Sequence, residues 1–256
     1  MTHVLKVSGA DLDDADFSRR LAEVLVHEAQ ADERPLLVHG GGKEITELLK
    51  AMNIPSSFIE GLRVTDAATR DVALMVLAGL ANKRMVAHVL NAGGTAVGLS
   101  GVDGRLLQVR PIDAALGFVG KPCAVNTTLL EGFLSQGVIP VINPMSIGEQ
   151  AAGDGEIYNV NADHAAGAIA AALDADLLTF VTNVPGVLDG EKKLLPQLSA
   201  TETDALIASG VITVGMIPKV RTCLEALQAG VRRVRITNLE GLRTGGGTIF
   251  VTSQRP

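Results

Sequence analysis

Residues 36–49 read LLVHGGGKEITELL, and no other stretch constrains the fold as tightly. Leu36, Leu37 and Val38 form a short apolar run after Pro35, which suits a buried parallel strand. Ile45, Leu48, Leu49 and Met52 then recur at helical spacing. Gly40, Gly41 and Gly42 therefore fall on a strand-to-helix turn. Free backbone N–H groups and the positive end of a helix dipole at such a turn favour an anion such as a phosphate.

The same β-α order recurs along the chain. HVLKVSG at 3–9 alternates apolar residues and ends in a turn, and Phe17, Leu21, Val24 and Leu25 follow at helical spacing. Further strands are expected at 95–100, 137–143, 176–183 and 232–238, with helical stretches between most of them. The alternation predicts an α/β fold, a three-layer αβα sandwich with a mainly parallel central sheet and ligands at the carboxyl ends of its strands. Residues 53–65 and 101–125 break the rhythm and read as hairpins or loops above the sheet. A soft boundary near residue 174 divides one continuous fold into an N-terminal lobe, 1–173, and a C-terminal lobe, 174–256. Residues 66–92 are helical and apolar on more than one face, as expected of a subunit contact or of a buried core helix.

Composition narrows the function classes. The 256 residues carry a formal net charge of -6 and show no basic patch, which argues against a nucleic-acid or membrane partner. With 3% aromatic residues, no Trp and one Tyr, there is little on which bases could stack. Cys123 and Cys223 lack metal-ligand or redox spacing and read as reduced core residues. No targeting segment precedes the first strand and no unbroken apolar run reaches about 18 residues, so a cytoplasmic location is expected.

Two common phosphate motifs fail on this glycine turn. A P-loop needs a glycine five residues before its Gly-Lys pair and a Ser or Thr after it, but Leu37 and Glu44 occupy those positions. A dinucleotide fingerprint needs glycines at 40, 42 and 45, and position 45 is Ile. Other residues must decide. Lys6 sits inside the first strand, where a lysine is costly unless it has a partner or reaches solvent from a sheet edge. Asp163 opens a helix of small residues, as a ligand-facing carboxylate or as a simple N-cap. Lys219 precedes another helical stretch, and His39, beside the glycines, reads as structural.

HGGG at 39–42, GLRVTDA at 61–67, LANK at 80–83, NVNADHAA at 159–166, TNVPGVLDG at 182–190 and GMIPKV at 215–220 occur in an order that resembles the amino-acid kinase family, specifically its members that phosphorylate N-acetyl-L-glutamate. The resemblance runs over essentially the whole chain. It implies the amino-acid kinase fold and transfer of the γ-phosphoryl group of ATP, with Mg2+, to the side-chain carboxylate of N-acetyl-L-glutamate. It assigns Lys6 and Lys219 as the cations that stabilise the transferring group and Asp163 as the carboxylate that orients both ammonium groups. Gly41, Gly42 and Gly9 would donate backbone N–H groups, and Arg63 and Asn159 would hold the acyl-amino acid. The nucleotide would lie against Gly9, Asn183, Val184, Pro185, Gly186, Val187, Leu188, Val211, Ile212 and Thr213, with no side chain dedicated to metal.

The same resemblance implies a homodimer. Three departures from the family pattern stand out: Ser8 for a glycine, Asn183 for an aspartate and Val214 for an aspartate. Two alternatives stay open, a kinase for carrier-protein-bound 2-aminoadipate and a non-catalytic amino-acid or nucleotide sensor of the same fold.

Overall fold

A computed structural model describes residues 1–149, 155–213 and 215–252. The strands are β1 (Thr2–Val7), β2 (Arg34–His39), β3 (Phe58–Ile59), β4 (Leu62–Arg63), β5 (Ala96–Gly101), β6 (Leu107–Pro111), β7 (Gly120–Val125), β8 (Ile139–Gly148), β9 (Ile157–Asn159), β10 (Leu177–Val181), β11 (Gln197–Ser199), β12 (Arg233–Thr237) and β13 (Thr248–Val251). The helices are α1 (Gly9–Leu12), α2 (Ala15–Gln30), α3 (Gly42–Ala51), α4 (Ala67–Leu74), α5 (Asn82–Asn91), α6 (Thr127–Leu134), α7 (Ala162–Ala172), α8 (Ala200–Ala208), α9 (Ile217–Gln228) and α10 (Leu239–Thr244). A π-helical segment, Met75–Ala81, joins α4 to α5.

All strands but β3 and β4 form one sheet among the described residues, in the order β11-β13-β12-β10-β1-β2-β8-β6-β7, with β5 and β9 also paired to β8. The central strands β12, β10, β1, β2 and β8 run parallel, so their carboxyl ends open on one side. Alternation along the strands makes the layers. Val4, Leu36, Val38, Ile142, Leu178 and Phe180 pack into the core under α7 and α9, while Leu5, Val7, Leu37, Val141 and Val181 pack under α2 and α5. Residue 174, where a soft boundary was expected, lies between α7 and β10, and β10 pairs directly with β1 in the same sheet.

The structure differs from the sequence expectation at several places. Residues 107–125 form a hairpin that extends the sheet edge rather than rising above it, because β6 pairs with the far end of β8. That is possible because β8 runs ten residues, longer than the 137–143 stretch, and serves β5 first and β6 afterwards. The 53–65 region does stand apart from the sheet, as the β3–β4 hairpin turning at Glu60 (φ 49°) and Gly61 (φ 81°). Cys223 is buried as expected, but Cys123 is exposed on β7.

Candidate functional site

Lys6 lies in β1, a central strand flanked by β2 and β10, so it cannot reach solvent from a sheet edge. Its ammonium instead makes an ion pair with Asp163 Oδ1 at 2.7 Å. Asp163 is available because Asn161 caps α7: Asn161 Oδ1 accepts from the backbone N–H groups of Asp163 (2.8 Å) and His164 (3.4 Å). The simple N-cap reading of Asp163 is thereby corrected.

Two cavities meet at this pair. One, of about 350 Å³, is lined by Lys6, Ser8, Asp11, Asp163, Phe180, Val181, Thr182, Asn183, Lys219 and Thr222. The other, of about 250 Å³, is bounded by the glycine turn (Gly40, Gly41, Gly42), Gly9, Arg63 and Asn159. Lys6, Ser8 and Asp163 line both.

In the first cavity Lys219, in the opening turn of α9, donates to Asn183 Oδ1 at 3.2 Å. Asp163 was expected to orient both ammonium groups; in this structure it pairs with Lys6, and the uncharged amide of Asn183 accepts from Lys219. The departure from aspartate at 183 thus leaves the Lys219 charge uncompensated by a carboxylate among the described residues. Ser8 caps α1, and its hydroxyl donates to Asp11 Oδ2 at 2.9 Å. Val214 lies outside the described residues.

The residues expected at the nucleotide are distributed between the two cavities and the core. Of the residues expected at the nucleotide, only Asn183 lines the first cavity. Val187 and Ile212 are buried in the main core, the Val187 N–H donates to Thr248 Oγ1, and the Thr213 carbonyl accepts from Met216 and Ile217 at the start of α9. Val184, Pro185, Gly186, Leu188 and Val211 line neither cavity. Gly9 faces the glycine–arginine cavity, not the first, because its backbone abuts Gly41. A Cβ on Gly9 would sit 2.3 Å from Gly41 Cα, so the two turns can come this close only with glycine at position 9.

In the second cavity Arg63 is only 7% exposed. Its guanidinium donates to Ser56 Oγ (2.6 Å), the Gly42 carbonyl (2.8 Å) and Thr46 Oγ1 (2.9 Å), and lies 4.7 Å from the centre of the Phe58 ring. It makes no ion pair among the described residues, and burial pushes its pKa down. A buried guanidinium held by neutral acceptors is prepared for an anionic ligand. Asn159, at the end of β9, donates to Thr65 Oγ1 at 3.3 Å and faces the same space.

The sequence reading missed Ser56 and Thr46, which aim Arg63, and Thr222, which lines the first cavity, none of which sits in a pattern that announces it; Thr182, which also lines that cavity, opens the TNVPGVLDG motif but was given no role. Asn161 was legible in principle, as an Asn immediately before a helix of small residues. Lys43, beside the glycines, points away to Asp13 at 3.3 Å.

The amino acid kinase family matches residues 1–238. An acetylglutamate kinase of Roseiflexus castenholzii is 49% identical over 257 residues, covering 99% of this chain and 95% of that protein. One from Granulibacter bethesdensis is 43% identical, covering 90% of this chain and 80% of its own. Among solved structures, smu.665 of Streptococcus mutans superposes with a TM-score of 0.81 at 29% identity, covering 98% of this chain and 99% of that one. N-acetylglutamate synthase of Neisseria gonorrhoeae, complexed with coenzyme A and N-acetyl-glutamate, gives 0.83 at 25% identity, covering 99% of this chain and 60% of that one. With a family match over most of its length and such relatives across nearly all of it, the chain belongs to the amino acid kinase family.

Proposed function

We propose that the chain is an acetylglutamate kinase, transferring the γ-phosphoryl group of ATP to the side-chain carboxylate of N-acetyl-L-glutamate to give N-acetyl-L-glutamyl 5-phosphate, a step of arginine biosynthesis. The observation that carries this reading is that two cavities meet at one lysine–carboxylate pair. The nucleotide phosphates are assigned to the first cavity, beside Lys219, and the acyl-amino acid to the second, against Arg63 and Asn159. Lys6 stands where the two substrates meet.

The acceptor carboxylate is already an anion at pH 7, so the reaction requires no general base. What it requires is the alignment of two anions and neutralisation of charge as it develops on the transferring group. Lys6 and Lys219 supply two point charges on either side of that group, and Asp163 holds Lys6 before either substrate arrives. Arg63 offers a substrate carboxylate the guanidinium N–H groups not already donated to Ser56, Gly42 and Thr46, and the Gly41 and Gly42 N–H groups receive phosphate or carboxylate oxygens.

The donor set also fits a metal that arrives with the nucleotide. The carboxylates of the first cavity, Asp11 and Asp163, are already engaged by Ser8 and Lys6, and no group of three metal-ligating side chains occurs among the described residues. Mg2+ would be held mainly by phosphate oxygens and water, neutralising phosphate charge. Residues 184–188 and 211–213 are assigned to the adenosine end of the nucleotide.

The proposal includes a cytoplasmic homodimer with no nucleic-acid or membrane partner. The helical run Ala67–Asn91 is long and apolar enough to cross a membrane, but it buries Val72, Val76, Leu77, Met85 and Val89 in the protein core. Met75, Leu80 and Leu90 on the same run are exposed, and they supply the apolar surface a second copy would cover.

An ATP-dependent assay that traps acyl phosphates with hydroxylamine tests the activity, comparing N-acetyl-L-glutamate with glutamate, aspartate and carrier-bound 2-aminoadipate. Hydroxamate from N-acetyl-L-glutamate alone is expected. Product only from the carrier-bound acceptor would shift the assignment to lysine biosynthesis. ATP binding without product from any acceptor would make the chain a sensor.

A further inference from the structure

His39 is the last residue of β2, fully buried and directly before the glycine turn. Its Nδ1 lies 3.0 Å from the carbonyl oxygen of Gly40, and its Nε2 lies 3.1 Å from Nδ2 of Asn82. The Asn82 amide is oriented independently of the histidine: Nδ2 donates to the Val141 carbonyl at 2.8 Å, and Oδ1 accepts from Lys83 Nζ at 3.2 Å. A carbonyl only accepts and an ammonium only donates, so the atom facing His39 is the NH2 group. Nε2 of His39 must then be the acceptor, and the ring proton sits on Nδ1, where it donates to Gly40.

The π-helical segment makes this contact possible. Leu77 packs on Gly41, its Cδ2 only 2.6 Å from where a Cβ on that glycine would be, and Asn82 packs on His39. Five residues of α-helix turn the chain about 140° beyond a full revolution, which would carry one of the two away from the turn. In a π-helix residues i and i+5 are bonded neighbours, and the Asn82 N–H does bond the Leu77 carbonyl. Both side chains therefore face the same glycine turn.

The Gly40 carbonyl and the Gly41 N–H belong to one planar peptide and point in opposite directions. Holding that carbonyl on the α5 side aims the Gly41 N–H the other way, and this N–H has no acceptor among the described residues. We propose that His39 and Asn82 are positioning residues that lock the Gly40–Gly41 peptide so that the Gly41 N–H is presented to the second cavity. Its effect on rate rests on the kinase reading above; its effect on the peptide does not.

The test combines NMR with kinetics. Long-range 1H–15N correlation on the wild-type protein is expected to show His39 protonated on Nδ1 and bare on Nε2. His39→Asn places an amide NH2 near the Nδ1 position and keeps the donor to Gly40, whereas His39→Gln reaches the Nε2 position and loses it. The Gly41 amide 1H–15N signal should move in the Gln variant and stay near its wild-type position in the Asn variant. In the trapped-product assay kcat should fall about tenfold for Gln, with the KM for the acyl-amino acid within about threefold, and be largely rescued in Asn. An Nε2-protonated ring, or Gly41 amides that respond alike in both variants, would overturn the proposal. A wild-type protein without turnover would defeat the kinase reading while the amide measurements still decide this one.

Discussion

A lysine in the middle of a parallel sheet must have a reason, and Lys6 shows how much one residue can disclose. Its position inside the first strand was legible as costly, and its partner Asp163 was legible as a carboxylate at a helix start. What the sequence left open, an edge lysine or a capping aspartate, depends on strand order and on Asn161, which are tertiary facts. Lys219 shows the opposite case: its held position depends on Asn183, 36 residues away. Lys219→Ala is expected to lower kcat by on the order of 10²-fold, about 3 kcal/mol of lost transition-state stabilisation, and near-normal kcat would remove its assigned role. Arg63→Ala should chiefly raise the KM for the acyl-amino acid; an effect confined to the KM for ATP would move it to the other cavity.

His39 adds a prediction about pH. Burial pushes its imidazole down to about 4, against an ordinary value of 6.5. Above pH 6.5 the ring is neutral in both folded and unfolded chains. As pH falls from 6.5 towards 4, the unfolded chain takes up a proton that the folded one refuses, so stability drops by about 3 kcal/mol over that window. Denaturant unfolding followed by far-UV circular dichroism should show this slope in the wild type and a flatter one in His39→Asn. Equal slopes would mean that His39 does not titrate as its burial requires.

At the scale of elements, the strand–glycine–helix unit of β2 and α3 was readable because period-2 and period-3.6 patterns meet at the glycines. The reason for those glycines was only half readable. Phosphate approach predicts them, but Gly9 is also demanded by the backbone of the β2–α3 turn at Gly41, and Gly41 by the Leu77 side chain packed on it. Gly9→Ala should therefore cost about 2 kcal/mol or more and lower the Tm by about 5 °C in calorimetry, because a backbone neighbour cannot rotate aside. An unchanged Tm would show that the two turns are not so close. The π-helical segment could not be foreseen, since residues 66–92 are apolar on several faces and give no single period. The short strands β9 and β11 were equally hidden, as three-residue strands carry too little pattern.

For the whole molecule, the sandwich and its parallel core followed from the β-α alternation, whereas the continuation of the sheet through β6 and β7 followed from the length of β8. The exposed Met75, Leu80 and Leu90 predict that a charge such as Leu80→Glu will convert a homodimer to a monomer in light scattering; a wild-type monomer would contradict that contact. The central claim concerns one place, where the two cavities join at Lys6 and Asp163. Single-turnover acyl-phosphate formation, measured for the wild type and Lys6→Ala together with the Kd values of ATP and N-acetyl-L-glutamate, tests it most directly. The account predicts a transfer rate lower by on the order of 10²-fold with both Kd values within about fivefold. A near-normal transfer rate in Lys6→Ala would contradict it.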